Sequence, residues 1–472
     1  MVVRKSYFEW KNTPRLVRGV SEVWYVPAPI SSITCRIRRG SGNAGKGPIA
    51  RISPEDIVTS DAELVKRILA VRSPYTRSEW YNGMRFDPSK NFVLSMREDS
   101  LHTMMRSRMA AGYSGKDVED LEKKVDSNVM KLVHLIDSYI VENKPFDLSR
   151  KVHYFTLDVL SDIAFGQPFG NLASDSDKHD YIKNIETYVP FLIISTVMAW
   201  IIPVLGLRVF RPFMPSEHDV LGIGRIMGIA KEVAAKRYGP NKKVNKDMVG
   251  SFVAHGLTQE QTESEIPGQI VAGSDTTATA IRATLLHIIT SPRVLTRLHR
   301  EIDDTRLSSP TATDSEIRTM AYLQACIKEG LRMFPPAAGF MSKNVPADGD
   351  VWKGISFPPG TRIGLSIWGI VRSKEFWGDD ADEFRPERWL EATPERRKEM
   401  DSTWDIIFSA GKWGCMGRNV AYIEMNKVLV EILRRFDLAV VDPTRPWKSV
   451  QCGIFIQSEF WVRATRRDHE AV

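Results

Sequence analysis

Apolar and polar residues alternate along most of this chain with the period of an amphipathic helix. Segments with apolar residues at helical spacing predict helices at 62–71, within 100–142 on both sides of the glycines at 112 and 115, and at 151–165, 221–237, 263–291, 314–334 and 417–436. Short β-type runs at 48–57, 337–372 and 437–466 predict a minor sheet. The pattern therefore predicts a mainly α protein with a small β region.

Composition supports an ordinary folded protein. Of 472 residues, 43% are hydrophobic and 26% are charged, which excludes a disordered or fibrous chain. A length prior of roughly 150 residues per domain suggests three domains. No linker-like stretch divides the chain, however, so we expect a single domain.

The net charge and the number of cysteines indicate which partners and which redox compartment to expect. The net charge of +7 is mild and spread without a long single-sign run, so it does not predict a nucleic-acid partner. The four cysteines fit neither a disulfide scaffold nor a zinc signature, and a reducing compartment is expected.

The first residues and one internal segment bear on membrane attachment. The N-terminus has no apolar core of a signal peptide or anchor. The uncharged segment 188–207 is long enough to cross a membrane, but Pro190, Pro203 and Gly206 interrupt it. A spanning helix, a membrane-dipping or ligand-lining segment, and an ordinary buried segment all remain open.

The most specific motif is FSAGKWGCMG, at 408–417, immediately before a predicted helix. The helix dipole and the N–H groups of the loop favour a thiolate at Cys415. Gly411 and Gly417 permit a tight loop and close approach to a flat partner, against which Phe408 could pack. With one cysteine and no companion ligand, an iron porphyrin fits better than zinc. A buried structural cysteine in a turn is the alternative.

Two charged motifs could form a structural lock. Glu329 and Arg332 share a helix face at i, i+3 spacing, and Arg388 lies in the segment FRPERW. Each alone is typical of a solvated surface. Together they could form a buried Glu–Arg–Arg network that fixes the cysteine loop.

Asp275 and Thr276 are unexpected polar residues in an apolar helix, within AGSDTT at 272–277. The Thr276 hydroxyl can bond to the carbonyl of Ala272, and Gly273 would let the helix open beside a ligand. An acid beside an alcohol in an apolar groove suits proton delivery. A locally satisfied helix kink is the alternative.

His102 and Arg106 share a helix face at i, i+4 spacing. The pair suits an anionic group such as a carboxylate. A solvated basic face is the alternative.

The order and spacing of these motifs decide between the alternatives. The chain runs H-x-x-x-R, A-G-x-D-T-T, E-x-x-R, P-E-R-W and F-x-x-G-x-x-x-C-x-G. It resembles the cytochrome P450 family of haem-thiolate monooxygenases from about residue 47 to the C-terminus. The texts RISPEDIVTSD, YNGMRFDP, GYSGKDVE and CMGRNVAYIEMNK further resemble filamentous-fungal members, roughly the pisatin-demethylase-like branch. We therefore expect a haem domain at 47–472 with the cytochrome P450 fold enclosing one haem, preceded by a segment, 1–46, that lacks the usual membrane anchor.

The resemblance implies a role for each motif. Cys415 would be the axial ligand of the iron of haem b, and Glu329, Arg332 and Arg388 the structural triad. Ala272 and Gly273 would lie over the haem, and Asp275 and Thr276 would relay protons during oxygen activation. The remaining cofactor-binding residues implied are His102, Arg106, Lys343, Lys412, Trp413, Phe408, Gly411 and Gly417. Trp413 stands where the family usually carries Arg or His, so a propionate contact there is limited to its indole N–H.

The implied function is monooxygenation with O2 as co-substrate. Electrons would come from NADPH through a cytochrome P450 reductase, docking on the side of the cysteine loop near Lys412, Arg418 and Lys427. The substrate would be an apolar small molecule, with fungal secondary metabolism the implied context.

The resemblance also implies a location and leaves two rivals. Endoplasmic-reticulum attachment on the cytosolic face is implied, through 188–207 as a peripheral contact, although without an anchor a cytosolic location is possible. The rivals are an O2-independent haem-thiolate isomerase or dehydratase, which the Asp275–Thr276 pair argues against, and a non-catalytic haem-binding pseudoenzyme.

Overall fold

Helices dominate the computed structural model, which describes residues 47–207, 209–210, 215–219, 222–239, 242 and 245–467. The α-helices are α1 Ala62–Leu69, α2 Asp99–Ser114, α3 Leu121–Val141, α4 Leu148–Phe165, α5 Asn171–Ser174, α6 Tyr181–Val197, α7 Ile201–Leu205, α8 Gly222–Ala235, α9 Met248–Ala254, α10 Gln259–Ile289, α11 Pro292–Asp304, α12 Asp314–Arg318, α13 Ala321–Met333, α14 Ile367–Val371, α15 Lys374–Trp377, α16 Arg388–Glu391, α17 Pro394–Trp404 and α18 Arg418–Arg435. The strands are β1 Ile49–Arg51, β2 Asp56–Thr59, β3 Thr76–Arg77, β4 Phe146–Asp147, β5 Lys343–Asn344, β6 Asp350–Trp352, β7 Ile355–Phe357, β8 Arg362–Leu365, β9 Phe436–Val440, β10 Lys448–Cys452, β11 Ile454–Ser458 and β12 Trp461–Arg466. The prediction of a mainly α, single-domain protein is confirmed.

The long helix α10 organises the core. It begins with a capping box in which the Thr258 hydroxyl accepts from the N–H of Gln261 and the Gln261 side chain accepts from the N–H of Thr258. Helices α4, α8, α13 and α18 pack around it. Because nearly every residue of α4 is buried, the core is continuous from α3 through α4 to α10.

The strands form small sheets at the periphery of the helical core. A five-stranded sheet has the order β1-β2-β8-β5-β3, with β2 and β8 parallel and the other pairs antiparallel. A three-stranded antiparallel sheet has the order β4-β12-β9, and β6–β7 and β10–β11 form hairpins. The pairing of β3 with β5 places Arg77 opposite Lys343.

Several segments differ from the helix and strand predictions. The run 48–57 is divided into β1 and β2, because the Ser53 hydroxyl accepts from the N–H groups of Glu55 and Asp56 and closes a turn. The predicted helix 314–334 is divided into α12 and α13. The helices α5, α9, α11 and α14 to α17 were missed. Helix α17 has no apolar stripe, although the pair Thr393–Pro394 at its start is an N-cap signal.

The apolar segment 188–207 lies in the second half of α6 and in α7. No helix in the described part of the chain is long and apolar enough to cross a membrane. The spanning alternative is therefore wrong for 188–207, while the segment 1–46 lies outside the described residues. One face of α6 and α7 is buried, and the other exposes large apolar side chains, including Phe191 and Trp200 at 64% and 67%.

Candidate active site

The loop that carries Cys415 ends at the N-terminus of α18. The Cys415 N–H donates to the carbonyl of Phe408 at 2.7 Å, which closes the loop. The sulfur accepts from the backbone N–H groups of Gly417 and Arg418, the residues that begin the helix. Cys415 is exposed by its accessible surface, but the protein atoms packed around the sulfur still raise the pKa of the thiol, whereas these N–H groups and the charge of Arg106 favour the thiolate. The loop is thus built to hold a sulfur anion once a cation is bound to it.

Gly411 shows why the loop needs a glycine. Its φ is +56°, and a Cβ there would lie 2.1 Å from the carbonyl oxygen of Leu69 at the end of α1. The glycine therefore lets the loop pack onto α1. A Cβ at Gly417 would meet no atom within 4 Å.

Basic side chains converge near this loop. His102 is buried, with 1% of its surface exposed, and within the described chain neither ring nitrogen has a hydrogen-bond partner. Burial and the charges of Arg77, Arg106, Lys412 and Lys343 lower the pKa of His102 to about 3. Burial, Arg77 and Lys412 likewise lower the pKa of Lys343 well below its ordinary value.

Arg77 was missed by the sequence analysis, because it belongs to no motif. It is 5% exposed on β3 and donates from Nη1 to the carbonyls of Val93 and Met96. Lys343 lies on the neighbouring strand β5 and donates to the hydroxyl of Tyr81. The sheet pairing of β3 and β5 is what places both cations beside His102 and Arg106.

Trp413 lies between two lysines. The Nζ atoms of Lys343 and Lys412 are 4.8 and 4.5 Å from the centre of its ring, a cation–π distance. The buried Nε1 of Trp413 has no partner among the described residues. Lys412 is itself engaged, donating to the carbonyls of Ser73 and Tyr75 and to the carboxylate of Asp99.

These groups fit an iron porphyrin with two carboxylates. The thiolate loop supplies one soft axial ligand. The crowded cations, the orphaned nitrogens of His102 and the orphaned N–H of Trp413 suit propionate groups. Within the described residues no cluster of His, Cys, Asp and Glu could hold an ordinary metal ion.

Glu329, Arg332 and Arg388 form one buried network. Arg332 binds Glu329 through two bonds, Nε to Oε2 at 2.9 Å and Nη2 to Oε1 at 2.8 Å, and Arg388 Nε donates to Oε1 at 2.9 Å. The remaining guanidinium hydrogens reach backbone carbonyls, such as that of Ala381 at 2.7 Å from Arg332 Nη1, and the carboxylate of Asp380 at 3.1 Å from Arg388 Nη1. The network therefore joins α13 to the segment before α16.

A line of aromatic rings connects this network to the cysteine loop. Trp389 donates from its indole to Glu329 at 2.9 Å, and its ring lies 6.3 Å from that of Trp404. The Trp404 ring lies 5.6 Å from Phe408, which stacks on Tyr422 of α18 at 5.8 Å. The network thus acts on the loop through packed rings and does not touch Cys415 itself.

The segment 272–277 runs through the middle of a continuous α10. The Thr276 hydroxyl donates to the carbonyl of Ala272 at 2.6 Å, and Ala272 is exposed although it lies mid-helix. A Cβ at Gly273 would lie 3.0 Å from Leu160 of α4, so this glycine permits close packing of the two helices. Ala272 and Thr276 accordingly share an accessible face of α10.

Asp275 points instead into the packing between helices. Its Oδ2 accepts from the hydroxyl of Tyr181 at 2.7 Å, and its Oδ1 lies 3.4 Å from Nε2 of His153. Burial raises the pKa of Asp275 to about 6, against the opposing effects of Tyr181 and Arg282. The carboxyl group is therefore poised to gain and lose a proton near neutral pH.

The basic residues expected to face a reductase are each paired with a carboxylate of this chain. Lys427 is 1% exposed in its side chain and binds Glu122 and Asp126 at 2.7 and 2.6 Å. Arg418 is partly exposed and binds Asp405 at 2.7 Å. The expectation that Lys412 and Lys427 present free charge to a partner is wrong, because Lys427 is buried between two carboxylates and Lys412, 16% exposed in its side chain, is paired with Asp99.

Comparison with known proteins agrees with this site. A family profile described as Cytochrome P450 matches residues 48–459. The chain is 38% identical over 433 residues to Cytochrome P450 monooxygenase ABA1 of Pyricularia oryzae, covering 88% of this chain and 84% of that protein. It is 37% identical to Cytochrome P450 monooxygenase aba1 of Botryotinia fuckeliana, covering 89% and 85%, and 32% identical to Cytochrome P450 monooxygenase abl1 of Leptosphaeria maculans, covering 92% and 79%.

A mainly helical fold around a thiolate loop, with these relatives, defines the class as haem-thiolate oxidoreductases. The chain belongs to the cytochrome P450 family, and its activity is that of a cytochrome P450 monooxygenase. Family membership implies a haem cofactor and the use of O2. The relatives come from filamentous fungi, as the sequence resemblance indicated.

Proposed function

We propose that this protein inserts one oxygen atom from O2 into an apolar small molecule of fungal secondary metabolism, with electrons delivered from NADPH by a flavoprotein reductase. The observation that carries the proposal is Cys415, whose sulfur accepts two backbone N–H bonds at the start of α18 beside the charge of Arg106. When bound, the haem supplies oxygen activation, and thiolate ligation favours cleavage of the O–O bond.

The cofactor would be held at its edge by basic groups. His102, Arg106 and Arg77 would meet the propionates, with Lys343 and Trp413 as further donors. Burial and, after it, the charges of neighbouring cations lower the pKa of both His102 and Lys343, and this supports the assignment because two carboxylates would offset the repulsion between the cations. Lys412 acts less directly, since its three contacts are with Ser73, Tyr75 and Asp99.

Proton delivery is assigned to Asp275 and Thr276. The Thr276 hydroxyl lies on the accessible face of α10 and can turn from the Ala272 carbonyl towards water beside the haem. Asp275 would supply the proton from a neighbouring face of the helix, about 100° around the axis from Thr276, and its pKa of about 6 suits this task.

The reductase is proposed to dock beside the cysteine loop, using positive charge that remains accessible. Arg418 is 41% exposed in its side chain. Lys116 is exposed nearby, where Asn419 of α18 donates to the carbonyl of Ser114 at 3.5 Å. We expect Lys116→Glu to slow reduction by the reductase in low salt and to have little effect in high salt, where charges are screened.

The apolar substrate and the membrane contact are both assigned to the region of α6 and α7. Exposed apolar side chains there include Phe191, Ile194, Val197, Trp200 and Leu207. A patch of this kind marks a membrane or protein contact. We propose that it rests on the cytosolic face of the endoplasmic reticulum, from which an apolar substrate can enter.

A spectrum tests the proposal. The purified haem-loaded protein, reduced and treated with CO, should give the red-shifted Soret band of thiolate-ligated haem. Cys415→Ser should abolish this band, whereas Cys452→Ser, which changes a half-buried cysteine of β10, should keep it. A band that survives Cys415→Ser would overturn the assignment. Reaction under 18O2 should then label the product, and an unlabelled product would contradict oxygen insertion.

A further inference from the structure

The carboxyl group of Asp275 is held by side chains from two helices other than its own. Tyr181 is the first residue of α6 and donates to Oδ2 at 2.7 Å. His153 of α4 places Nε2 at 3.4 Å from Oδ1. Each of the three residues is 4% exposed, so no bulk water competes for these contacts.

Ser274 and Tyr181 each have one hydroxyl hydrogen, and this limits the directions of the hydrogen bonds in the cluster. Ser274 lies 3.2 Å from the Tyr181 hydroxyl, but the Ile270 carbonyl accepts the single Ser274 hydrogen at the shorter distance of 2.7 Å. The Tyr181 hydrogen is then free to occupy Oδ2 of Asp275. This arrangement favours a proton on Oδ1, the oxygen that faces His153, because a proton on Oδ2 would force the Tyr181 hydrogen to turn from its 2.7 Å contact with Asp275 to the longer 3.2 Å contact with Ser274.

His153 is matched to that oxygen. Its Nε2 has no properly aligned hydrogen-bond partner among the described residues. Burial, Arg282 and Arg150 lower the pKa of His153 well below its ordinary value, so the imidazole is neutral. A neutral imidazole can donate to an ionised Oδ1 or accept from a protonated one, depending on its tautomer. The ring stands edge-on to Tyr181 at 5.9 Å, which ties the two residues together.

We propose that Tyr181 and His153 are positioning residues that orient the Asp275 carboxyl group and set which of its oxygens carries the proton. The inference rests on the proposed oxygenase function. It assigns to α4 and α6 a part in oxygen activation, although neither residue belongs to a motif in the sequence.

The charges around the cluster come from all three helices. Arg282 lies on α10 with Asp275 and favours its ionised form, whereas Glu186 on α6 opposes it. Arg150 on α4 pairs with Glu186 at 2.8 Å, and Asp177 acts on Tyr181. Because the Tyr181 bond stabilises the ionised carboxylate, Tyr181→Phe should make Asp275 hold its proton to higher pH. The shift expected from losing one charge-assisted hydrogen bond is about one pH unit.

The test measures how turnover divides O2 between two products in the absence of added substrate. With NADPH and a reductase, O2 + NADPH + H⁺ gives H2O2 and NADP⁺, whereas O2 + 2 NADPH + 2 H⁺ gives two H2O and two NADP⁺. Poor proton delivery favours the first reaction. The ratio of H2O2 formed to NADPH consumed is measured from pH 5 to 8 in the haem-loaded full chain.

We expect Tyr181→Phe to raise the peroxide ratio several-fold near neutral pH and to move the midpoint of its pH profile upward by about one unit. His153→Phe should also raise the ratio, and His153→Gln, which restores a side-chain N–H, should recover part of the loss. The matched control is Tyr238→Phe, which removes a hydroxyl that meets the same helix at Thr262, 2.7 Å away. The control should leave the ratio and the midpoint unchanged.

Two results would overturn the inference. One is an unchanged ratio and midpoint in Tyr181→Phe and His153→Phe while Asp275→Asn alters both. The other is loss of the thiolate CO band in Tyr181→Phe, because Tyr181 would then be required for folding. Failure of the proposed oxygenase function would be distinguishable from failure of this inference. In that case the unaltered protein would itself lack the thiolate CO band or would consume no NADPH.

Discussion

Glu329→Gln should strongly destabilise the protein, because Glu329 is the common acceptor of a fully buried donor cluster. Its Oε1 accepts from Arg332 Nη2, Arg388 Nε and the N–H of Arg385 at 2.8, 2.9 and 3.0 Å. Its Oε2 accepts from Arg332 Nε and Trp389 Nε1, both at 2.9 Å. Both carboxylate oxygens of Glu329 are therefore in use as acceptors, and replacing either one with the NH2 group of a glutamine would leave donors without an acceptor.

The magnitude follows from what glutamine cannot do at this position. Its NH2 group would face donors in place of one oxygen, so at least two donors would lose their acceptor, and the charge that balances Arg332 and Arg388 would vanish. Breaking a buried pair in this way costs about 3–5 kcal/mol. Since whole domains are stable by about 5–15 kcal/mol, the loss is a large fraction of the total.

The measurement is urea unfolding of the haem-loaded protein, followed by the Soret band and by far-UV circular dichroism. Glu395→Gln is the matched control, because Glu395 is an exposed glutamate in the first turn of α17. The control should change the free energy of unfolding by less than about 1 kcal/mol. A loss below about 1 kcal/mol in Glu329→Gln would refute the reasoning.

The same network predicts how acid acts on stability. Burial opposes ionisation of Glu329, but Arg332 and Arg388 outweigh it and hold the pKa below its ordinary value of 4.5. The stabilisation is therefore fully present above pH 4.5 and is lost as the pH falls through the folded-state value. Glu329→Gln should flatten this part of the acid unfolding curve, and a curve of unchanged slope would contradict the assignment.

Other expectations follow from the site and from the apolar patch. Thr276→Ala should raise the ratio of H2O2 to NADPH consumed, and an unchanged ratio would count against its part in proton delivery. Arg77→Met should speed the loss of haem to a haem-scavenging protein several-fold, whereas Arg72→Met, at an exposed position nearby, should not; equal rates would remove Arg77 from the propionate site. Phe191→Asp should reduce sedimentation with phosphatidylcholine vesicles, whereas Val141→Asp, at an exposed apolar position outside the patch, should not, and equal binding of both would contradict the membrane contact.

Local patterns predicted several of the long helices but not the whole helical framework. Helix α10 was predicted from its apolar spacing, and α18 from its amphipathic pattern after the cysteine loop. The charged helix α17 was missed because it has no apolar stripe, and periodicity reports only burial on one face. The breaks within 48–57 and 314–334 arise from side-chain bonds and turns that periodicity does not register.

Several site residues could not be found in the same way. Arg77 is held near His102 by its bonds to the carbonyls of Val93 and Met96, and the pairing of β3 with β5 brings Lys343 beside it from more than 260 positions away in sequence. Tyr181 and His153 reach Asp275 only because α4 and α6 pack against α10. Conversely, the position of Lys427 near Cys415 in sequence suggested an exposed cation, but in the fold two carboxylates enclose it.

The sequence by itself determined the class of protein, because the thiolate loop, the Glu-x-x-Arg pair and the acid–alcohol pair depend on residues close together along the chain. It also determined that Cys415 precedes a helix, so that a helix N-terminus meets the sulfur. Only the tertiary structure decided which cations surround the cofactor edge, which are neutralised, and what holds Asp275. Those properties depend on burial and on contacts between distant segments, and both arise only when the helices pack.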